Sequence, residues 1–272
     1  MGHTKTTVSA QWLKDNLDNP QVKIIDCRFL LSESDWGYQQ YNHSHIENAY
    51  YFHLNQDFSS PIQPHGGRHP LPDNQVFADK LAQIGIIQNQ TTVVIYDSSR
   101  FAFSARLWWL LRYLGHNQVF VLDGGWQQWQ QLNYPVTNIT PTLSQGYFSP
   151  QPQQDWLVNI DYVKQVLNSN STVIIDARSG DRYRGEVEPI DPVAGSIPSA
   201  QNIFWQEMTT EEGKLKSVEE LKAIWQPYQN YPEIIVYCGS GVTACVDILA
   251  LNTINLCQCK LYSGGWSDWC SY

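Results

Sequence analysis

Apolar residues along this chain fall into two alternating arrangements. Short runs rich in Val and Ile at Val22–Asp26, Thr92–Tyr96, 173–176 and 234–237 read as strands, and the short segments 118–122 and Cys259–Tyr262 read as strands again. Between them, residues 76–84, 103–114, Val218–Trp225 and 244–251 carry apolar side chains three and four apart, the spacing of one helix face. Strands interleaved with helices predict an α/β protein with mainly parallel sheets flanked by helices on both faces. In such sheets the ligand sits beyond the carboxyl ends of the strands.

The pattern occurs twice. Ile24-Ile25-Asp26-Cys27-Arg28 matches Ile174-Ile175-Asp176-Ala177-Arg178, and His45-Ile46-Glu47-Asn48-Ala49 matches Ser196-Ile197-Pro198-Ser199-Ala200. Val94-Ile95-Tyr96-Asp97 matches Ile235-Val236-Tyr237-Cys238, and Leu122-Asp123-Gly124-Gly125-Trp126 matches Tyr262-Ser263-Gly264-Gly265-Trp266. Matches in the same order indicate a duplication. The reading is two tandem domains, 1–136 and 155–272. Residues 137–154, rich in Pro, Ser, Thr, Asn and Gln, join them.

Composition narrows the function. Of 272 residues, 42% are hydrophobic and 16% charged, which describes a globular chain with a real core. The net charge of −9 argues against nucleic acid or an anionic membrane surface as partner, and leaves room for a small anion in a locally positive site. No apolar run is long enough to span a membrane. Five of the six cysteines crowd the last 35 residues, which is no disulfide framework, and Cys257-x-Cys259 is not a zinc spacing. No secretory leader pattern opens the chain, so a cytoplasmic protein is expected. The start Met1-Gly2-His3-Thr4-Lys5-Thr6 fits a loose lipidation pattern with many chance matches and carries little weight.

The chemistry concentrates where the run 234–237 ends on Cys238. Gly239-Ser240-Gly241-Val242-Thr243 follows, and then a helical segment begins. A strand, a tight loop and a helix start can aim backbone N–H groups and the positive end of the helix at the sulfur, favouring a nucleophilic thiolate. Most cysteines are inert packing, and Cys245 on the same helix reads that way. The first copy has Asp97 where the second has Cys238, with Ser98-Ser99-Arg100 after it. An aspartate cannot carry a persulfide, so the second copy reads as active and the first as its support.

These residues resemble the two-domain sulfurtransferases of the rhodanese family along nearly the whole chain. The loop 238–244 is similar to the signature of the 3-mercaptopyruvate sulfurtransferases. The resemblance implies two tandem rhodanese-like domains and transfer of a sulfane sulfur from 3-mercaptopyruvate through a Cys238 persulfide, cradled by residues 239–243. The acceptor would be cyanide, a thiol or thioredoxin, with no metal or organic cofactor. It also implies that Arg182 binds the anionic donor, and that His69 and Asp57, from the first copy, face the cysteine.

Asp26, Arg28, Asp176 and Arg178 occur in both copies, active and inactive, and read as structural ion pairs. The Gly-Gly-Trp elements read as structural for the same reason, and Trp108-Trp109 as core.

Where the family carries a second donor-binding arginine, nine residues after Arg182, this chain has Asp191. It would repel an anionic donor if it faced the site, and Arg184 is a candidate substitute. Thiosulfate:cyanide transfer is the alternative activity; the neutral Gly239 and Ser240 make thiosulfate a weak donor. A non-catalytic sulfur-carrier or interaction module is the alternative of a different class. A cysteine phosphatase needs an arginine at the end of the loop, where Thr243 and Ala244 stand.

Overall fold

The computed structural model describes residues 4–272. Met1, Gly2 and His3 of the lipidation pattern lie outside the described residues. Two five-stranded sheets organise the chain. The first has the order β1 (Thr7–Val8), β6 (Val119–Leu122), β5 (Thr92–Tyr96), β2 (Val22–Asp26), β4 (Ala49–Tyr51). The second has β8 (Leu157–Val158), β12 (Cys259–Tyr262), β11 (Glu233–Tyr237), β9 (Thr172–Asp176), β10 (Gln201–Asn202). Every pairing in both sheets is parallel, and the two orders are equivalent strand for strand. The duplication read from the sequence is therefore a duplication of topology. Each unit is α/β, as expected. β3 (His45–Ile46) and β7 (Val136–Thr137) form a separate antiparallel pair.

The central strands are covered on both faces, which is why they read as unbroken apolar runs. Val93 and Ile95 face one core cluster, while Val94 and Tyr96 face another. One apolar cluster runs continuously through both units. The helices Ser104–Tyr113 and Ala244–Thr253 pack against each other in that seam. Every residue of Ala244–Thr253 is buried, as befits a helix with no polar face.

Residues 137–154, read as the link, run back along the first unit. Ser144 and Tyr147 donate backbone hydrogen bonds to Gln83 and Ile86, and β7 pairs with β3. Among the described residues, no helix is long and apolar enough to cross a membrane.

Candidate active site

β11 delivers Cys238 to the carboxyl end of the second sheet, where it is buried. Residues 239–243 then turn into the helix Ala244–Thr253. The turn needs Gly241 at φ +70, where a Cβ would lie 2.3 Å from the Ser263 carbonyl oxygen. The Gly264-Gly265-Trp266 element fixes the loop from below. Trp266 N–H donates to the Cys238 carbonyl at 2.8 Å, and Ser267 N–H to the Gly239 carbonyl at 2.9 Å. In a trans peptide the N–H points opposite to the carbonyl. Holding those two carbonyls therefore turns the N–H groups of Gly239 and Ser240 the other way. Among the described residues, no protein group accepts a hydrogen bond from the N–H of residues 239–243.

The first copy shows what such a loop holds. The Asp97 carboxylate accepts from the N–H of Ser99 (2.8 Å), Phe101 (3.2 Å), Phe103 (3.0 Å) and Ser104 (2.8 Å), and from the Ser104 hydroxyl (2.9 Å). Trp126 N–H grips the Asp97 carbonyl at 2.9 Å, as Trp266 grips that of Cys238. A nest of amides at a helix start is an anion site. In the first copy the chain fills it with its own carboxylate.

Cys238 opens onto a cavity of about 730 Å³ between the two units. Gly239, Ser240, Val242 and Thr243 line it from the second unit, while Gly241 is turned against Ser263. Phe29, Arg68, His69 and Phe103 line it from the first. The Arg68–His69 segment reaches the site because the loop before it docks on the second unit: Gly66 N–H donates to Asp268 (2.7 Å) and Arg68 N–H to Ser267 (3.1 Å). His69 Nδ1 lies 2.7 Å from Ser240 Oγ. Burial, followed by the nearby Arg106 and Arg68 cations, pushes the His69 pKa down to about 3, so its imidazole is neutral.

Arg182 also lines the cavity, within a charge cluster that the sequence did not reveal. Its guanidinium donates to Glu188 at 2.7 and 3.2 Å and to Asp191 at 3.2 Å. Asp191 also pairs with Arg68. The expectation of a repulsive carboxylate is thereby corrected: Asp191 ties one arginine from each unit together. Arg68 Nη2 would lie 2.8 Å from a Cβ on Gly239, beside the cysteine, with Arg182 Nη1 3.8 Å from the same point. Arg68 was missed in the sequence although it precedes His69, because a single arginine in a loop carries no signal of its own.

Arg184 is no substitute. It forms an exposed pair with Glu186 and does not line the cavity. Asp57 is not brought to the site either. One carboxylate oxygen accepts from His53 N–H at 2.5 Å and the other pairs with Lys80, facing a separate tyrosine-lined cavity.

Asp176, Arg178 and Tyr237 form a buried cluster that Asp26, Arg28 and Tyr96 repeat in the first unit, as a structural pair should. Burial pushes the Cys245 thiol up to about 12, and it donates to the Gly241 carbonyl at 3.4 Å. It is a neutral, inert packing group.

Known proteins are similar to this chain along nearly its whole length. The family of rhodanese-like domains matches residues 9–132 and 159–272. A Pseudomonas aeruginosa protein named "Probable 3-mercaptopyruvate sulfurtransferase" is 38% identical, covering 96% of this chain and 94% of its own. The thiosulfate sulfurtransferase of Cricetulus griseus is 30% identical, covering 97% and 92%. The crystal structure of SseA from Escherichia coli, one of the 3-mercaptopyruvate sulfotransferases, superposes with a TM-score of 0.86 at 34% identity, covering 97% of this chain and 100% of the other. The chain belongs to the rhodanese family. Within it, the chain is a two-domain sulfurtransferase of the 3-mercaptopyruvate/thiosulfate type.

Proposed function

We propose that this enzyme takes a sulfane sulfur from 3-mercaptopyruvate onto Cys238 and passes it to cyanide, a small thiol or a reduced thioredoxin. The observation that carries the reading is the matched pair of loops. One holds a carboxylate on four amides, and its twin presents a cysteine beside unpaired amides. The twin is suited to a sulfur anion.

In the first step the Cys238 thiolate attacks the donor sulfur. An S–S bond forms, the donor C–S bond breaks, and its electron pair stays on carbon as the enolate of pyruvate. The proton from the donor thiol goes to that carbon, leaving a persulfide anion and pyruvate. The neutral His69 and Ser240, 2.7 Å apart, form a path for that proton. The free nitrogens of Arg182 and Arg68 take the donor carboxylate. Guanidinium suits this better than an ammonium because it can bind both oxygens. In the second step the acceptor attacks the outer sulfur, and the thiolate returns. A reducing compartment such as the cytoplasm suits a thiolate nucleophile.

Thiosulfate is the second reading for the donor, supported by the thiosulfate sulfurtransferase among the relatives. The test is a donor comparison with cyanide as acceptor, following thiocyanate, against a Cys238→Ala control. Higher kcat/KM with 3-mercaptopyruvate supports the proposal. Higher kcat/KM with thiosulfate overturns the donor assignment, and turnover in a folded Cys238→Ala variant overturns the mechanism.

A further inference from the structure

The helix Ser104–Tyr113 of the first unit carries Arg106 into the seam between the units, where it is fully buried. Its Nη1 donates to the Gly241 carbonyl at 3.0 Å and its Nη2 to the His69 carbonyl at 3.1 Å. One side chain of the inactive copy thus grips both the nucleophile loop and the His69 loop. Its Nε has no partner, and among the described residues no carboxylate forms an ion pair with it. An arginine keeps its charge even when burial lowers its pKa, as here. A buried charge with no counter-charge is strongly disfavoured, so the surroundings must contain one.

The neighbours narrow the choice. Cys245 interacts with Arg106, but burial pushes its thiol up to about 12. His69 is neutral. Asp247, on the helix Ala244–Thr253, is pushed well up by burial and stays protonated. Arg68, Arg178 and Arg182 are cations that already share Asp176, Glu188 and Asp191. The sulfur of Cys238 remains, and it interacts electrostatically with Arg106.

We propose that Arg106 is a positioning residue for the reaction: its buried charge is the counter-charge of the sulfur anion at Cys238, and its two Nη groups fix the spacing of the nucleophile and His69 loops. The thiolate and the persulfide anion each carry one negative charge, so the same cation serves both. The first copy, with Asp97 in place of a nucleophile, supplies the charge that the second requires. This inference rests on Cys238 being the sulfur carrier.

The experiment combines Arg106→Lys and Arg106→Gln with Cys238→Asp and Cys238→Asn, an isosteric pair that differs in charge. With 3-mercaptopyruvate as donor, Arg106→Gln is expected to lower kcat about 30-fold or more with little change in KM, and Arg106→Lys, which keeps the charge but loses the two-point grip, to lose clearly less. In thermal melts near neutral pH, Cys238→Asp is expected to melt well above Cys238→Asn when Arg106 is present. That gap should collapse in the Arg106→Gln background. Arg106→Gln turning over as well as Arg106→Lys, or a gap that survives the loss of Arg106, would overturn the proposal. If Arg106→Gln does not fold, two outcomes still overturn it: Cys238→Asn melting at or above Cys238→Asp, or Arg106→Lys folded but inactive. Transfer surviving in Cys238→Asn would sink the Cys238 reading itself. A dead Cys238→Asn alongside a fully active Arg106→Gln would sink only the role of Arg106.

Discussion

Asp247 sits in the first turn of the helix behind Cys238, fully buried, with neither carboxylate oxygen hydrogen-bonded. Burial first, then the nearby Cys238 and Glu207, push its pKa well above the usual carboxylate range. The folded chain therefore keeps a proton that the unfolded chain releases above about pH 4, and stability falls as pH rises. Asp247→Asn removes that cost. The variant is expected to gain stability over the parent by about 1.4 kcal/mol per pH unit above roughly pH 4, until the folded carboxyl itself ionises. Chemical denaturation at pH 5 and pH 8 checks this; a variant less stable at pH 8 than at pH 5, relative to the parent, contradicts it. His69 and His116 act with the opposite sign. Held down to about 3 and about 4, they stay neutral in the fold while the unfolded chain takes up protons, so their contribution is lost as pH falls below about 6.5. At this scale the sequence was least legible. That Cys238, His69 and Arg182 line one cavity was anticipated because their neighbours in sequence resemble family segments. The contacts of Asp191 and Asp57 were not, because a carboxylate's role is set by the cation that reaches it, here Arg68 from 123 residues away or Lys80 from the next helix.

The strand, loop and helix around Cys238 depend on a second element crossing beneath them. Gly265 adopts φ +61, and a Cβ there would lie 2.4 Å from the Cys238 carbonyl oxygen. Gly125 does the same in the first copy, at φ +54 and 2.5 Å from the Asp97 carbonyl oxygen. Reading the Gly-Gly-Trp elements as structural was sound, and the structure adds that they orient the loop peptides. Gly265→Ala and Gly125→Ala are each expected to cost about 1–3 kcal/mol in backbone strain alone. Only Gly265→Ala moves the reactive loop, so only it should lower kcat per folded molecule. Thermal melts with kcat for both variants test this, and equal losses of kcat would contradict it. The inner strands β2, β5, β9 and β11 were legible from their Val and Ile residues. The edge strands β1, β8 and β10 were not, because two residues make no period.

Across the whole molecule the two copies divide the work. The loop of the first presents no cysteine: Asp97 fills its amide nest, and Arg100 reaches over to the second unit. Arg100 donates to Thr209 Oγ1 (2.9 Å), to the carbonyls of Gln206 (2.6 Å) and Thr209 (3.0 Å), and to the Gln206 side chain (3.2 Å). With Arg68, His69 and Arg106 also coming from the first unit, the site around Cys238 is assembled only when both units meet. The duplication was visible as ordered repeats, but the meeting of the copies was not. Its contacts join residues far apart in the sequence, and the one local trace was the helix Ala244–Thr253, apolar except at Asp247, Asn252 and Thr253. Sulfur is proposed to travel on Cys238 and on no other cysteine. The most direct test exposes the reduced protein to 3-mercaptopyruvate, removes the donor, and locates added sulfur by peptide mass. One extra sulfur atom is expected on the peptide containing Cys238, removed by cyanide, and none in the folded Cys238→Ala variant. No added sulfur on that peptide, or sulfur carried and transferred by Cys238→Ala, would contradict it.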